Sequence, residues 1–162
     1  MNQGFWNLFD KNDHKALALW AVDCAEHVLT FFEEGHRQDH RPRKAIETLK
    51  EWIKTGEFSM RVIRHASLSA HAAAREVGED NAARFAARAA GQSVATAHVP
   101  THALGAALYS IKAVAATNLP NAKAAVARER DWQFARLPEN LREWVDSELK
   151  QKQRLLPKHL RN

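Results

Sequence analysis

The segment 81–117 reads NAARFAARAAGQSVATAHVPTHALGAALYSIKAVAAT, and its dominant residue is alanine. Alanine has the highest helix propensity, and rows of small side chains allow two helices to approach each other closely. Pro100 divides the segment, because proline disfavours helix at the residue before it and suits the first turn of a new helix. We therefore predict two helices that pack together at the centre of the protein. Gly91 and Gly105 are expected where another backbone comes close, since an interior glycine otherwise costs about 1 kcal/mol.

The rest of the chain shows apolar residues at helical spacing, separated by Gly, Pro, Asn, Asp and Ser. Strand-like alternation and internal repeats are not visible. The first three predicted helices are His14–Glu34 with an N-cap at Asp13, Pro42–Thr55, and Met60–Val77 with an N-cap at Ser59. A fourth helix begins at about Asn81, and the fifth is Thr101–Thr117. The sixth runs from Asn121 to about Ala135, and the seventh begins at about Pro138. The sequence thus predicts an all-α fold, a compact bundle of about seven antiparallel or orthogonal helices around a central pair rich in small residues.

We expect a single helical domain over residues 1–162, because a chain of this length can bury a core of its own. Residues 1–12 carry large apolar side chains and are predicted to dock on the body of the domain. Residues 151–162 are predicted to form a basic, partly frayed tail. The apolar period places Trp20 and Cys24 on the inner face of the first helix, and Val62 and Ile63 on that of the third.

Cys24 is the single cysteine, so no disulfide can form within the chain, and a reducing compartment is expected. The N-terminal residues lack a basic stretch followed by an apolar run, which argues against a signal peptide. Charged residues and histidines interrupt the Ala-rich segment, so it contains no window of about 20 apolar residues. We therefore predict a cytoplasmic protein that does not enter a membrane.

The formal net charge is +5, and the charges are unevenly spread. Acidic residues concentrate on the first helix, whereas basic residues gather between Arg37 and Lys44 and again from Lys150 onward. A basic excess fits nucleic acid or an acidic protein partner, and it also fits a solvated surface with a basic tail. No recognition motif accompanies the charge, so nucleic acid is not the partner we expect first.

The residue pattern gives little support for metal or catalytic chemistry. His98 and His102 are four residues apart, a spacing that can bind a metal, but Pro100 lies between them and no HExxH pattern is present. Cys24 lies on an apolar helical face, and no serine lies in a nucleophile elbow. We predict no catalytic residues, no metal and no cofactor, which favours a non-catalytic protein and leaves an enzyme as an open alternative.

A group of polar residues in the Ala-rich part of the chain has two open interpretations. His71 and Arg75 are one helical turn apart, and a buried arginine needs an acidic partner or an anionic ligand. Asp23 on the first helix is the candidate partner, because it lies among apolar neighbours. The group forms either a structural network between helices or a pocket for a small anion or polar ligand. Its predicted members are Asp23, His71, Arg75, His98, His102 and Tyr109.

The five tryptophans lie mostly at helical spacing with other apolar residues, so core packing is their expected role. Trp132 and Trp144 flank a predicted turn. Because tryptophan is frequent among interface hot spots, these two residues are also candidates for contact with a partner.

Five segments, taken together and in order, resemble a known family. They are LWAVDCAEHVLTFFE (19–33), RPRKAIETLKEWIKTGE (41–57), SAHAAARE (69–76), AARAAGQSVATAHVPTHALGAALYSIKAV (86–114) and ERDWQFARLPENLREWV (129–145). In these segments the chain resembles the immunity-five-like family of immunity proteins from bacterial polymorphic-toxin systems. The resemblance implies a small helical cytoplasmic protein that neutralises a toxin, and it brings no catalytic residues.

Three functions stand as hypotheses. The first, implied by the resemblance, is a non-catalytic protein that binds and neutralises a cognate toxin. The second is a small-ligand-binding protein or enzyme that uses the His/Arg/Asp group, and the third is nucleic-acid binding through the basic 37–44 loop and the basic tail. Because the chain is basic, neutralisation by acidic imitation of nucleic acid is not expected. The toxin, the binding face and the oligomeric state are not decided by the sequence.

Overall fold

The computed structural model describes residues 9–117 and 120–152. Over these residues the chain forms seven α-helices and no strand, which confirms the predicted all-α bundle. The helices are α1 (Lys11–Glu33), α2 (Arg41–Thr55), α3 (Met60–Glu76), α4 (Ala82–Ala95), α5 (His102–Thr117), α6 (Ala122–Ala135) and α7 (Glu139–Lys152). The docking role predicted for residues 1–12 falls largely outside the described residues, as does the tail beyond residue 152.

Helix α1 begins one turn before the predicted start. Asp10 is its N-cap, and the Asp10 side chain accepts a hydrogen bond from the Asp13 backbone N–H at 2.8 Å. The Asp13 side chain accepts in return from the Asp10 N–H, which completes a capping box. The prediction that Asp13 is the N-cap is therefore wrong. Asp13 also accepts a hydrogen bond at 2.9 Å from Asn140, so it fastens the start of α7 to the start of α1.

Other helix boundaries follow the predicted signals with one exception. Ser59 and Asn81 are N-caps whose side chains accept from backbone N–H groups of the first turn of α3 and α4. Gly56 ends α2 in the left-handed conformation, with φ of 72°. Asn121 holds the N-cap position of α6 but makes no side-chain capping bond, so its predicted capping contact is absent.

Helix α4 lies at the centre of the bundle and packs against α1, α2, α3 and α5. Its contact with α5 is the most extensive of any helix pair, as the small-residue pattern predicted. The alanines that make this contact possible are fully buried: Ala86, Ala87, Ala89 and Ala90 on α4, and Ala103, Ala106, Ala107 and Ala113 on α5. Small side chains thus allow α4 to be surrounded by neighbouring helices on most of its circumference.

Helix α1 supplies large side chains to this core. Leu17, Trp20 and Phe32 are almost completely buried. The Trp20 indole N–H donates to the Gln133 backbone carbonyl at 2.8 Å, which satisfies a buried donor and joins α1 to α6. Cys24 is fully buried beside them, as expected for an inert core thiol, and burial raises its pKa well above the usual value.

One predicted core position is wrong. Val62 was expected on the inner face of α3 next to Ile63, but its side chain is 44% exposed. The buried stripe of α3 consists of Ile63, Ala66, Ala70, Ala73 and Ala74. Val62 lies about 100° around the helix from Ile63, which carries it off the stripe and onto the outer surface.

Candidate functional site

Polar side chains form a row of separate contacts between α3, α4 and α5. Ser67 Oγ of α3 donates to the Gly91 carbonyl of α4 at 2.9 Å. Arg88 of α4 donates to Nδ1 of His71 of α3 at 3.1 Å. At the next interface, Gln92 Oε1 of α4 lies 2.8 Å from Nδ1 of His102 of α5. We refer to Ser67, His71, Arg88, Gln92 and His102 as the polar seam.

The two interior glycines make room for the polar seam. A Cβ atom at Gly91 would lie 2.7 Å from Nε2 of His71, and a Cβ atom at Gly105 would lie 2.5 Å from Oε1 of Gln92. The close neighbours are therefore side chains, and the expectation of a close backbone is wrong. At each glycine, a long polar side chain from the adjacent helix lies against the bare helix surface.

The environment of the polar seam favours neutral histidines. Burial, together with the positive charges of Arg88 and Arg75, lowers the pKa of His71 to about 4. Burial also lowers the pKa of His102, with a smaller effect from His98. Neutral imidazole has one nitrogen that accepts, whereas imidazolium has none. Neutral His71 can therefore accept the hydrogen bond from Arg88, whose guanidinium lies 3.1 Å from Nδ1 of the ring.

A cavity of about 300 Å³ adjoins the α5 end of the polar seam. Its lining includes His102, Tyr109 and Lys112, and the Lys112 ammonium lies 5.3 Å from the centre of the Tyr109 ring. His98 lies beside His102, with ring centres 5.3 Å apart. Its buried Nδ1 has no hydrogen-bond partner among the described residues. This cavity is where the predicted polar group comes nearest to a ligand pocket.

Four of the six predicted group members lie along the polar seam and its cavity: His71, His98, His102 and Tyr109. Arg75 is exposed, so the expectation that it is buried is wrong. Asp23 lies on α1, where the nearby charges are Arg136, Glu26 and Lys50, and burial raises its pKa. No ion pair joins Asp23 to Arg75 in the part of the chain that the structure describes. A ligand-binding role for the group stays a prediction.

The two tryptophans predicted as interface candidates both contact other side chains of this chain. The Trp132 ring stacks on His27 with ring centres 3.7 Å apart, and the Arg136 guanidinium lies 3.7 Å from the centre of the same ring. Trp144 packs edge to face on Phe9 at 4.7 Å. Both indoles are half-buried, and their role in a partner contact stays a prediction.

Next to Trp132, a buried carboxylate that the sequence did not single out joins α1 to α6. Glu129 is 4% exposed, and its carboxylate lies 2.9 Å from Nδ1 of His27 and accepts from Nε2 of Gln133 at 2.9 Å. Burial raises the pKa of Glu129, although the His27 contact opposes this effect. These bonds pair a carboxylate that would be costly to bury alone.

A second region lies on the outer surface, where two cavities sit side by side between α2 and α3. They measure about 470 Å³ and 410 Å³, and both are lined by Thr48 and Val62. We refer to them together as the α2–α3 groove. The larger cavity is also lined by Asp39, His40, Arg41, Lys44, Arg61 and His65, and the smaller by Glu51, Trp52, Glu57, Phe58 and Ile63.

The cations near the α2–α3 groove divide into paired and unpaired residues. Arg41 donates to Asp39 and to Glu76 at 2.6 and 2.5 Å, and these bonds lower the pKa of both carboxyls. Arg43 forms hydrogen bonds with Glu33. Lys44 and Arg61 are exposed, and neither forms an ion pair within the described residues. Only part of the predicted basic 37–44 loop is therefore available to a partner.

Exposed large apolar side chains are concentrated in one stretch of the chain. Four of the five among the described residues fall between positions 58 and 68. They are Phe58 at 50% exposure, Met60 at 48%, Val62 at 44% and Leu68 at 53%; Leu19 on α1 is the fifth. Two of the four, Phe58 and Val62, line the α2–α3 groove. Single exposed apolar residues are ordinary, but exposed apolar side chains that line a groove are typical of an interaction surface.

The sequence interpretation did not identify this surface, although one signal was present. Residues 58–75 contain no aspartate or glutamate, while they contain Arg61, Arg64 and Arg75. On α3 the acidic residue Glu76 stands at the last position, so the positive charges of Arg61 and Arg64 are not balanced by a carboxylate in the first turns of the same helix. Together with Val62 and Leu68 off the alanine stripe, this pattern could have indicated a binding face on α3.

Two further properties of the described residues concern metals and membranes. They contain no group of three or more His, Cys, Asp or Glu side chains placed to hold a metal ion. None of the described helices combines the length and the apolar character needed to cross a bilayer.

The fold and the groove define the class of this protein: an all-helical bundle with a sealed centre and an open surface groove that is cationic and apolar. The model of the family described as "Imm-5 like putative immunity protein" matches residues 7–140. The chain therefore belongs to the Imm-5 like family, which confirms the resemblance seen in the sequence. No curated protein and no solved structure matches the chain significantly.

Proposed function

We propose that this protein is an immunity protein that binds a cognate bacterial toxin and neutralises it by contact, without catalysing a reaction, in the cytoplasm of the cell that carries it. The observation that carries the proposal is the family match over residues 7–140, which covers six of the seven helices and the first residues of α7. The exposed apolar side chains of Phe58 and Val62 in the α2–α3 groove support it, because apolar side chains exposed in a groove are typical of protein–protein interfaces.

The charges of the protein favour one mode of neutralisation over another. An inhibitor that imitates nucleic acid presents carboxylates, whereas this chain has a net charge of +5 and, beside its groove, cations that form no ion pair with any described residue. The carboxylates of α1 are partly engaged, since Glu26 pairs with Lys50 and Glu33 with Arg43. Neutralisation is therefore expected to depend on an acidic surface of the toxin.

Co-expression tests this proposal directly. The toxin domain encoded beside this gene is induced in cells with and without the protein, and growth is followed together with co-elution of the two purified chains in size-exclusion chromatography. We expect growth to be rescued and a stable complex to form. An unrelated toxin from a different locus is the matched control and should not be neutralised. Growth arrest in the presence of the protein, with no complex, would overturn the proposal.

The cavity beside His102 supports a second candidate function, the binding of a small anion or polar molecule. Lys112, Lys152 and Tyr109 line this cavity and supply groups that contact an anion, while the buried Nδ1 of the neighbouring His98 has no hydrogen-bond partner among the described residues. Calorimetric titration with inorganic phosphate and citrate tests this candidate, with Lys112→Ala/Lys152→Ala as the variant that removes both lining charges and is compared with Lys112→Ala. Saturable binding that the double variant abolishes would support it, and absence of heat would argue against it.

A further inference from the structure

We infer that the α2–α3 groove and the outer face of α3 are the surface that receives the toxin, and that they bind a segment carrying carboxylates next to large apolar side chains. This inference rests on the proposed function and specifies its binding face. Residue types, charge balance and the layout of the two adjoining cavities support it.

The residue types on this face are those of an interface core. Phe58 and Val62 line the groove from the start of α3 and the turn before it, and each is about half exposed. Arg61 is exposed beside them and lines the larger cavity together with Val62. Aromatic residues, methionine and arginine are enriched in protein interfaces relative to the rest of the surface, whereas lysine and glutamate are depleted.

Charge complementarity identifies the chemistry of the partner. Lys44 and Arg61 line the larger cavity without an ion-pair partner among the described residues, whereas Arg41 in the same cavity is occupied by Asp39 and Glu76. An incoming carboxylate would therefore meet two free cations rather than displace an existing pair. Charge-assisted hydrogen bonds of this kind are among the stronger ones available to a surface.

The layout of the groove also gives the bound segment a direction. The unpaired cations line the larger cavity, whereas Phe58 lines the smaller cavity together with Glu51 and Glu57. Carboxylates of the partner are repelled at the smaller cavity and attracted at the larger one. The apolar side chains of the partner are thus directed toward Phe58, and its carboxylates toward Lys44 and Arg61.

Two other occupants fit the surface less well. A second copy of this chain, related by a two-fold axis, would place the same cationic face against itself, and like charges across an interface are unfavourable. Nucleic acid would use the cations but would leave the apolar side chains of Phe58 and Val62 without a complementary apolar surface. An acidic and apolar protein segment satisfies both parts of the face.

A matched pair of charge reversals tests the cationic part. Lys44→Glu/Arg61→Glu is compared with Lys123→Glu/Arg128→Glu, which changes the net charge equally on the exposed surface of α6. Both groove positions lie at the start of a helix, where glutamate is favoured, so α2 and α3 should remain folded. Affinity for the toxin domain encoded beside the gene is measured by calorimetry at two salt concentrations. We expect the groove variant to bind at least about tenfold more weakly and with less salt dependence, and the α6 variant to bind within about twofold of wild type.

A second pair tests the apolar part. Phe58→Ala/Val62→Ala should weaken binding at least about tenfold, whereas Leu19→Ala, which removes an equally exposed side chain from α1, should not. Circular dichroism confirms that each variant is folded. If both groove variants bind like wild type, the assigned face is wrong while neutralisation stands. If the wild-type protein forms no complex with the toxin domain, both proposals are overturned.

Discussion

The centre of the bundle and the α2–α3 groove use side-chain size in opposite ways. At the centre, the contact between α4 and α5 consists largely of alanine, and the side chains of Ala86, Ala90 and Ala106 are fully buried. At the groove, the side chains of Phe58 and Val62 are apolar and about half exposed. Burial of large apolar side chains would stabilise the fold, so their position outside the core suggests that they serve a different purpose.

The two regions also treat polar groups differently. The polar seam pairs its members across helices, as in the contact between Arg88 and His71, and leaves the histidines neutral. The groove leaves Lys44 and Arg61 charged and unpaired within the described residues. Paired polar groups stabilise and orient helices, whereas unpaired surface cations contribute little to stability and remain available to a partner. The centre therefore stabilises the fold, whereas the groove is available to bind a partner.

Enlarging a central alanine should have the largest effect on stability. Ala90→Leu adds three carbons to a fully buried position on α4, and overpacking of this kind costs about 1–3 kcal/mol or more. Ala127→Leu is the control, since Ala127 is exposed on α6 and should tolerate the change within about 0.5 kcal/mol. Urea unfolding measures both. Equal stability of the two variants would show that the centre is not closely packed.

Acidification should have the second largest effect on stability, because it weakens the polar seam. The folded-state pKa of His71 is lowered to about 4, below the ordinary value of 6.5. Between these values the unfolded chain binds more protons, so this contribution to stability is fully present above pH 6.5 and is lost as pH falls toward 4. Since one pKa unit corresponds to about 1.4 kcal/mol, the loss for a partly exposed ring is about 2 kcal/mol.

His71→Asn isolates this effect, because asparagine retains an acceptor for Arg88 and does not titrate. His102, whose pKa is also lowered, acts in the same direction, whereas Glu129 has a raised pKa and acts in the opposite direction. Both groups are present in the wild type and the variant, so the difference between the two stability curves reports His71. Parallel curves from pH 7 to pH 4 would contradict the assignment of a buried neutral imidazole.

A smaller effect is expected at the glycine that accommodates His71. Gly91→Ala gains up to about 1 kcal/mol of helix propensity, but its Cβ would lie 2.7 Å from the His71 ring, and overpacking costs about 1–3 kcal/mol. We expect a net loss of about 1 kcal/mol. In a His71→Ala background the same change should become neutral or stabilising, because the ring is gone. Gly35→Ala, with open space around the glycine, is the control, and additive changes would show no coupling.

Much of the centre could be predicted from the sequence, since it depends on local rules. Alanine content and the break at Pro100 indicate the two central helices, and Gly56, Ser59 and Asn81 mark helix ends through their own conformational preferences. These properties belong to single residues and their immediate neighbours. They therefore do not depend on which helices meet.

The polar seam and the groove depend on which helices meet, and the sequence prediction was weaker there. His71 could be identified as a buried polar candidate, but its partner Arg88 lies on another helix and was not selected. Arg75, one turn after His71, is exposed because the buried stripe of α3 runs through Ala73 and Ala74 instead. Glu129 lies in a charged run, and its burial depends on a contact with His27 about 100 residues away in the chain.

The smallest effect on stability is expected where the proposed effect on binding is large. Phe58→Ala and Val62→Ala each remove a side chain that is about half exposed, so each should change the free energy of unfolding by no more than about 0.5 kcal/mol. Urea unfolding of both variants tests this. Leu49→Ala, at a fully buried position, is the control and should lose about 2–5 kcal/mol. A loss above about 1.5 kcal/mol for either exposed position would mean that the side chain supports the fold. The division between a stabilising centre and a binding groove would then not hold at that residue.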